Sequence, residues 1–138
     1  MTDTITIPQV TDSGAVRGMM YALRGRYRFL DTIPIGRSVL GRAIFGLLLG
    51  GGNGPEKVLF AAAFHGQEWL TALTVLRLCE NICEAMQKDG KLDDLDLRQA
   101  LAGRSLILVP MVNPDGVDIA LRGAEAAGPF AEQAAALG

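Results

Sequence analysis

His65 is the chain's one histidine, and it follows the apolar run "KVLFAAAF". Glu68 stands three residues on, with Gly66 and Gln67 between. An imidazole nitrogen and a carboxylate oxygen offered from one turn of backbone make two good ligands for zinc. Each residue also has a plainer reading: a solvated or partly buried histidine, and a glutamate beside the positive end of a helix. A second segment of interest closes the run "RSLILVPMV": Asn113, Pro114, Asp115 and Gly116, whose residue types are those of a turn. The glycine-rich stretch "GGGNGPEK" lacks both the following helix and the Gly-Lys-Ser/Thr signature of a phosphate cradle, so it reads as a hairpin loop.

For His65 and Asn113–Gly116 to act together, secondary structure must bring them to one place. Residues 58–64 are apolar without alternation, the pattern of a strand covered on both faces. From 67 to about 88, Trp69, Ala72, Leu76, Cys79, Cys83 and Met86 recur at steps of three and four, which traces one face of a helix. Gly90 is its expected stop. Cys79 and Cys83 share the apolar side of that helix and read as buried reduced thiols. "RSLILVPMV" is a second buried strand. Strand, helix and strand make a βαβ unit, whose two strands end at the same sheet edge, where sites of α/β proteins collect. His65 and Asn113–Gly116 are therefore expected to be neighbours.

Upstream, residues 12–24 read as a helix capped by Asp12 or Ser13, and 27–35 and 42–49 as two strands joined by a short connection. "KLDDLDLRQAL" suggests a loop and a short helix, and the tail is alanine-rich and weakly helical. The fold class is α/β, a mixed and mostly parallel sheet with flanking helices, in one domain over residues 1–138. A net charge of −2 gives no pull toward nucleic acid, and Arg17, Arg24, Arg26 and Arg28 read as a solvated helix face. No apolar run is long enough to span a bilayer. The N-terminus has no secretory pattern, so a cytoplasmic location is expected.

The residues now support a resemblance. "HGQEW" after an apolar strand resembles the His-x-x-Glu zinc motif of the zinc metallocarboxypeptidases, the carboxypeptidase A-like family. "VPMVNPDG" is similar to that family's Asn-Pro-Asp-Gly segment, and "IGRSVLGRAIFGLLLG" to its Ile-Gly-x-Ser-x-x-Gly-Arg-x-Ile hairpin. The similarity covers about residues 15–120. The wording around "VPMVNPDGVD" is nearest the bacterial branch that cuts γ-D-glutamyl-diamino-acid bonds in cell-wall peptides.

This resemblance implies zinc as cofactor, a peptide substrate, His65 and Glu68 as the first two metal ligands, and Asn113, Pro114, Asp115 and Gly116 as a turn that shapes the site. It also implies residues not found in this chain: a third-ligand histidine, a carbonyl-polarising arginine, an Asn-Arg pair for the substrate carboxylate and a glutamate base. The general base and the polarising arginine are expected beyond Gly138, so no residue of this chain is assigned a catalytic role. Arg122 and Glu125 come too soon after Asn113–Gly116 to match any of them. The chain is thus expected to be the N-terminal portion of a truncated catalytic domain, to bind zinc weakly, to hydrolyse nothing by itself, and to expose unpaired strand edges. Two alternatives stand beside this reading. One is an aspartoacylase- or desuccinylase-like zinc amidohydrolase, which also uses His-Gly-x-Glu; the other is a non-catalytic remnant or interaction module.

Overall fold

The computed structural model describes residues 4–5, 10–50 and 54–137. Part of the N-terminal segment, which carries the expected absence of a leader, and residues 51–53 of the glycine-rich stretch lie outside them. Gly138, beyond which the general base and the carbonyl-polarising arginine are expected, also lies outside the described residues.

Helix α1, Ser13–Arg26, starts where expected because the Asp12 carboxylate accepts the Ala15 N–H at 2.8 Å, satisfying one of the free donors of the first turn. Val16, Met20 and Leu23 form its buried side. Strand β1, Asp31–Arg37, pairs antiparallel with β2, Ala43–Leu49. Between them Gly41, at φ +79°, donates to the Ser38 carbonyl, a left-handed position that glycine adopts without strain. The sequence places the first strand over 27–35. Instead Tyr27 and Leu30 are fully buried outside it, so their bulk serves the core from a loop rather than from a sheet.

Strand β3, Glu56–Ala61, leads through the His65 segment into helix α2, Trp69–Gln87. The helix ends near the expected stop, where Gly90, at φ +79°, donates to the Ala85 carbonyl. A two-residue ribbon follows, β4 (Lys91–Leu92) with β5 (Leu95–Asp96), and then α3, Leu97–Ala100. Strand β6, Arg104–Val109, returns parallel to β3, from Glu56 opposite Arg104 to Ala61 opposite Val109. This is the expected βαβ unit.

The main sheet runs β1-β2-β6-β3. It is mixed, as expected, but its two other pairings are antiparallel, so it is not mostly parallel. Here the β1–β2 hairpin joins the crossover unit through β2 and β6, so one parallel pairing stands beside two antiparallel ones.

The core lies where α1, α2 and α4 meet one sheet face. Leu23, Leu73, Leu76, Cys79, Cys83, Leu47, Leu108 and Val117 are all fully buried there. Both cysteines are free, and a hydrogen bond with Cys83, together with burial, pushes the Cys79 thiol up in pKa. Both therefore behave as small apolar residues, as expected.

Two expectations fail on burial. Strand β3 is not covered on both faces: it is one of the sheet's two edge strands, and Val58, Leu59 and Phe60 are exposed. An unalternating apolar run records what a strand is built to contact, not which neighbours are there. Of the four arginines expected on a solvated face, Arg17, Arg24 and Arg28 are exposed, but Arg26 is not. Its guanidinium meets Glu80 at 3.0 Å and Glu84 at 2.9 Å. Glu80, fully buried on α2, also takes Arg77 at 2.9 Å and the N–H groups of Thr4 and Ile5. A buried carboxylate needs such partners to remain charged.

The segment Asn113–Gly116 is not a free-standing turn. It opens helix α4, Pro114–Arg122. Asn113 is the cap, its Oδ1 accepting from the Gly116 N–H at 2.8 Å, and Pro114 takes the first helical position, where a missing N–H costs nothing. A 3-10 segment, Ala124–Phe130, and α5, Ala131–Leu137, follow.

Candidate metal centre

Strand β3 ends at Ala61, and the chain turns sharply between Ala62 and Glu68. The Ala62 and Ala63 carbonyls accept from the Val112 and Asn113 N–H groups at 2.9 and 3.0 Å. These bonds continue the β3–β6 pairing past the strand ends, so the segments after the two strands stay side by side. Asn113 Nδ2 donates to the Phe64 carbonyl at 3.0 Å. His65 and Asn113–Gly116 are thus neighbours, as the βαβ reading required.

Gly66 shows why a side chain is absent there. A Cβ at Gly66 would lie 2.3 Å from the Gly116 carbonyl oxygen. The glycine therefore permits a close approach of two backbones, a demand that local sequence does not display. Gly116 is similarly confined, because a Cβ would lie 2.5 Å from Asn113 Nδ2. The two glycines and Asn113 lock the His65 segment onto the start of α4.

On this base His65 and Glu68 face each other. His65 Nδ1 is 2.7 Å from Glu68 Oε1, and the His65 backbone N–H donates to Glu68 Oε2 at 3.2 Å. Glu68 holds the N-cap position of α2 but makes no capping hydrogen bond. Its carboxylate turns back to the histidine. The hydrogen bonds from the His65 ring and backbone hold its pKa below the usual glutamate range. An ionised carboxylate only accepts, so the ring–carboxylate contact is a hydrogen bond in the tautomer that carries its proton on Nδ1. The pair stands open to solvent, with the His65 side chain 82% exposed and that of Glu68 41%. An imidazole and a carboxylate meeting at one accessible point are half of a metal site. Among the described residues, no group of three His, Cys, Asp or Glu side chains comes together as a cage.

Asp115 does not face this pair. Its carboxylate accepts from Ser38 Oγ at 2.8 Å and the Leu40 N–H at 2.9 Å, and it meets Arg42 at 2.7 Å. Burial raises its pKa, but these three donors outweigh burial and leave it below the ordinary aspartate value. Arg42 also reaches Asp118 at 3.0 Å and the Ala126 carbonyl at 2.8 Å, while Asp118 accepts from Ser13 N–H and Oγ. Sequence reasoning finds Arg42 only as part of a hairpin motif. Its role in fastening that hairpin to α4 depends on contacts far along the chain, which local spacing does not reveal.

Residues 16–127 match the family model described as zinc carboxypeptidase. The chain is 35% identical over 120 residues to the protein YqgT of Bacillus subtilis (strain 168), covering 87% of this chain and 32% of that one. It is also 35% identical over 101 residues to gamma-D-glutamyl-L-diamino acid endopeptidase 1 of Lysinibacillus sphaericus, covering 73% of this chain and 25% of the relative. The chain therefore spans about a third or less of the length of these curated relatives. In fold it is similar to the crystal structure of carboxypeptidase A from Helicoverpa armigera, with a TM-score of 0.65 at 17% identity over 86% of this chain and 28% of that one. With most of its length matched to one family model and the same architecture found in a solved carboxypeptidase, this chain belongs to the zinc carboxypeptidase family.

Proposed function

We propose that His65 and Glu68 are two of the protein ligands of a peptidase zinc site, and that the 138-residue chain holds the metal weakly and is inactive on its own. The observation that supports this is the 2.7 Å approach of His65 Nδ1 to Glu68 Oε1 at an exposed position. The donor set fits zinc as far as it goes. Zn–N and Zn–O bonds run to about 2.0–2.2 Å, so the two atoms need separate only slightly to hold an ion between them. Ligation through Nδ1 requires the ring's one proton to stand on Nε2, a change of tautomer that leaves the imidazole neutral.

Bound zinc supplies a Lewis acid that polarises the scissile carbonyl and activates a water. The chain's own part is to aim the two ligands. Asn113 pins the Phe64 carbonyl, Gly66 seats on Gly116, and the Arg42–Asp115 pair ties the start of α4 to the β1–β2 hairpin. A peptide is the substrate class, and the similarity to the Lysinibacillus endopeptidase supports a γ-D-glutamyl-diamino-acid bond of a cell-wall peptide. The family match favours this peptidase reading over the amidohydrolase one.

Calorimetric titration with Zn2+ tests the ligand pair. Weak binding that His65→Ala abolishes is expected, with no release of product from a γ-D-glutamyl-diamino-acid peptide. Uptake indifferent to His65→Ala, or tightly held stoichiometric zinc with turnover by this chain alone, overturns the proposal.

A further inference from the structure

The segment from Ala63 to Glu68 is held closed at both ends by a single side chain. Thr71 Oγ1 donates to the Glu68 carbonyl at 2.7 Å and accepts from the Ala63 N–H at 3.0 Å. The Thr71 N–H donates to the same Glu68 carbonyl at 3.0 Å. Inside this clasp the Glu68 N–H closes a turn on the His65 carbonyl at 3.1 Å.

Ala63 needs the support. It is fully buried at φ +52°, a left-handed conformation uncommon for a residue with a side chain. Such a residue persists only where its surroundings over-determine it. The Thr71 hydroxyl supplies one constraint at its N–H, and the Asn113 N–H supplies another at its carbonyl.

From this geometry we infer that Thr71 is a positioning residue for the metal ligands: its hydroxyl sets the separation and aim of His65 and Glu68 by fastening the two ends of the segment that carries them. The inference rests on the zinc-ligand reading only for its effect on metal affinity; the effect on the His65–Glu68 contact is independent of metal. Outer partners that orient metal ligands are typically worth 10- to 100-fold in affinity. Thr71 itself is exposed on the first turn of α2, so replacing its hydroxyl by a methyl disturbs no packing.

The test compares Thr71→Val, which keeps the shape and loses the hydroxyl, with Thr71→Ser, which keeps the hydroxyl. Because His65 is the one histidine, its ring protons give a single unambiguous set of NMR signals. In metal-free protein, the nuclear Overhauser contact between the His65 ring and the Glu68 side chain, and slow exchange of the Ala63 amide, should persist in Thr71→Ser and vanish in Thr71→Val. With Zn2+ alone as ligand, Thr71→Val should weaken binding about 10- to 100-fold and Thr71→Ser by less than about threefold. If contact and amide protection are the same in all three proteins, or are lost equally in both variants, the inference is overturned. If the unaltered chain binds no zinc through His65, the zinc reading falls while the metal-free spectra still decide the role of Thr71.

Discussion

The Arg42 guanidinium meets the Asp115 carboxylate at 2.7 Å, and through it the tip of the first hairpin grips the helix that begins under the candidate metal centre. Its other two nitrogens point elsewhere, Nε to Asp118 and Nη2 to the Ala126 carbonyl. A lysine ammonium is a compact charge on a flexible stem and does not reproduce three divergent donors. Arg42→Lys should therefore behave as a substantial loss, not a conservative change. About 1–3 kcal/mol of stability is expected to disappear, with Arg42→Ala at the upper end. Urea denaturation followed by circular dichroism measures it, and an unchanged midpoint in both variants would contradict the account.

The same carboxylate gives the fold an acid dependence. Asp115 titrates below its ordinary value of 3.8 when folded. Asp12 is also lowered, first by the Ala15 N–H and then by Arg122. A group whose folded pKa is depressed stabilises the native state above its unfolded pKa, and that contribution drains away as pH falls through the folded value. Unfolding free energy contributed by these two groups should thus be flat from neutrality to about pH 5 and fall below about pH 4. Asp115→Asn should lower stability at pH 7 and flatten the acid limb. Denaturation midpoints at neutral and acid pH, compared between the two proteins, provide the check.

Gly66 leaves no room for a methyl group. Its missing Cβ would sit 2.3 Å from the Gly116 carbonyl oxygen, and backbone cannot rotate away as a long side chain can. Gly66→Ala should cost about 1–3 kcal/mol and part the two segments, lowering zinc uptake beyond what lost stability explains. Thermal melting and zinc titration on one preparation separate the two effects.

Edge strand β3 makes a prediction about solution behaviour. Leu59 is 62% exposed on β3, with Val58 and Phe60 exposed beside it. Apolar residues along an unpaired edge invite pairing with another chain, and a lysine there discourages it. Leu59→Lys should change the unfolding free energy by no more than about 0.5 kcal/mol and reduce light scattering at high protein concentration. Equal scattering from both proteins would show that association proceeds through another surface.

Much of this is legible without coordinates. The steps of three and four from Trp69 to Met86 mark α2, Asp12 marks the start of α1, and the βαβ pattern brings His65 to Asn113. Errors arise where one residue type serves two purposes. Asn-Pro-Asp-Gly suits a turn, but Asn at a cap with Pro at the first helical position is the better signal. Tyr27 and Leu30 look like strand residues because bulky apolar side chains serve loops and sheets alike when both face the core. Neither Thr71 nor Glu80 stands out from other polar helix positions. Their partners, Ala63 for one and Arg26 and Thr4 for the other, are fixed by tertiary contact rather than by spacing.

The bond from Asn113 to the Phe64 carbonyl joins residues 49 positions apart, and the seating of Gly66 on Gly116 is equally remote in sequence. Contacts of such long range form slowly, since the intervening chain must first lose its freedom. During folding, then, the His65–Glu68 pair gains its final support only when the β6 return and the first turn of α4 arrive. If the pair ligates zinc as proposed, an ion encountered earlier meets a looser pair, and metal capture is expected late in folding rather than as its trigger.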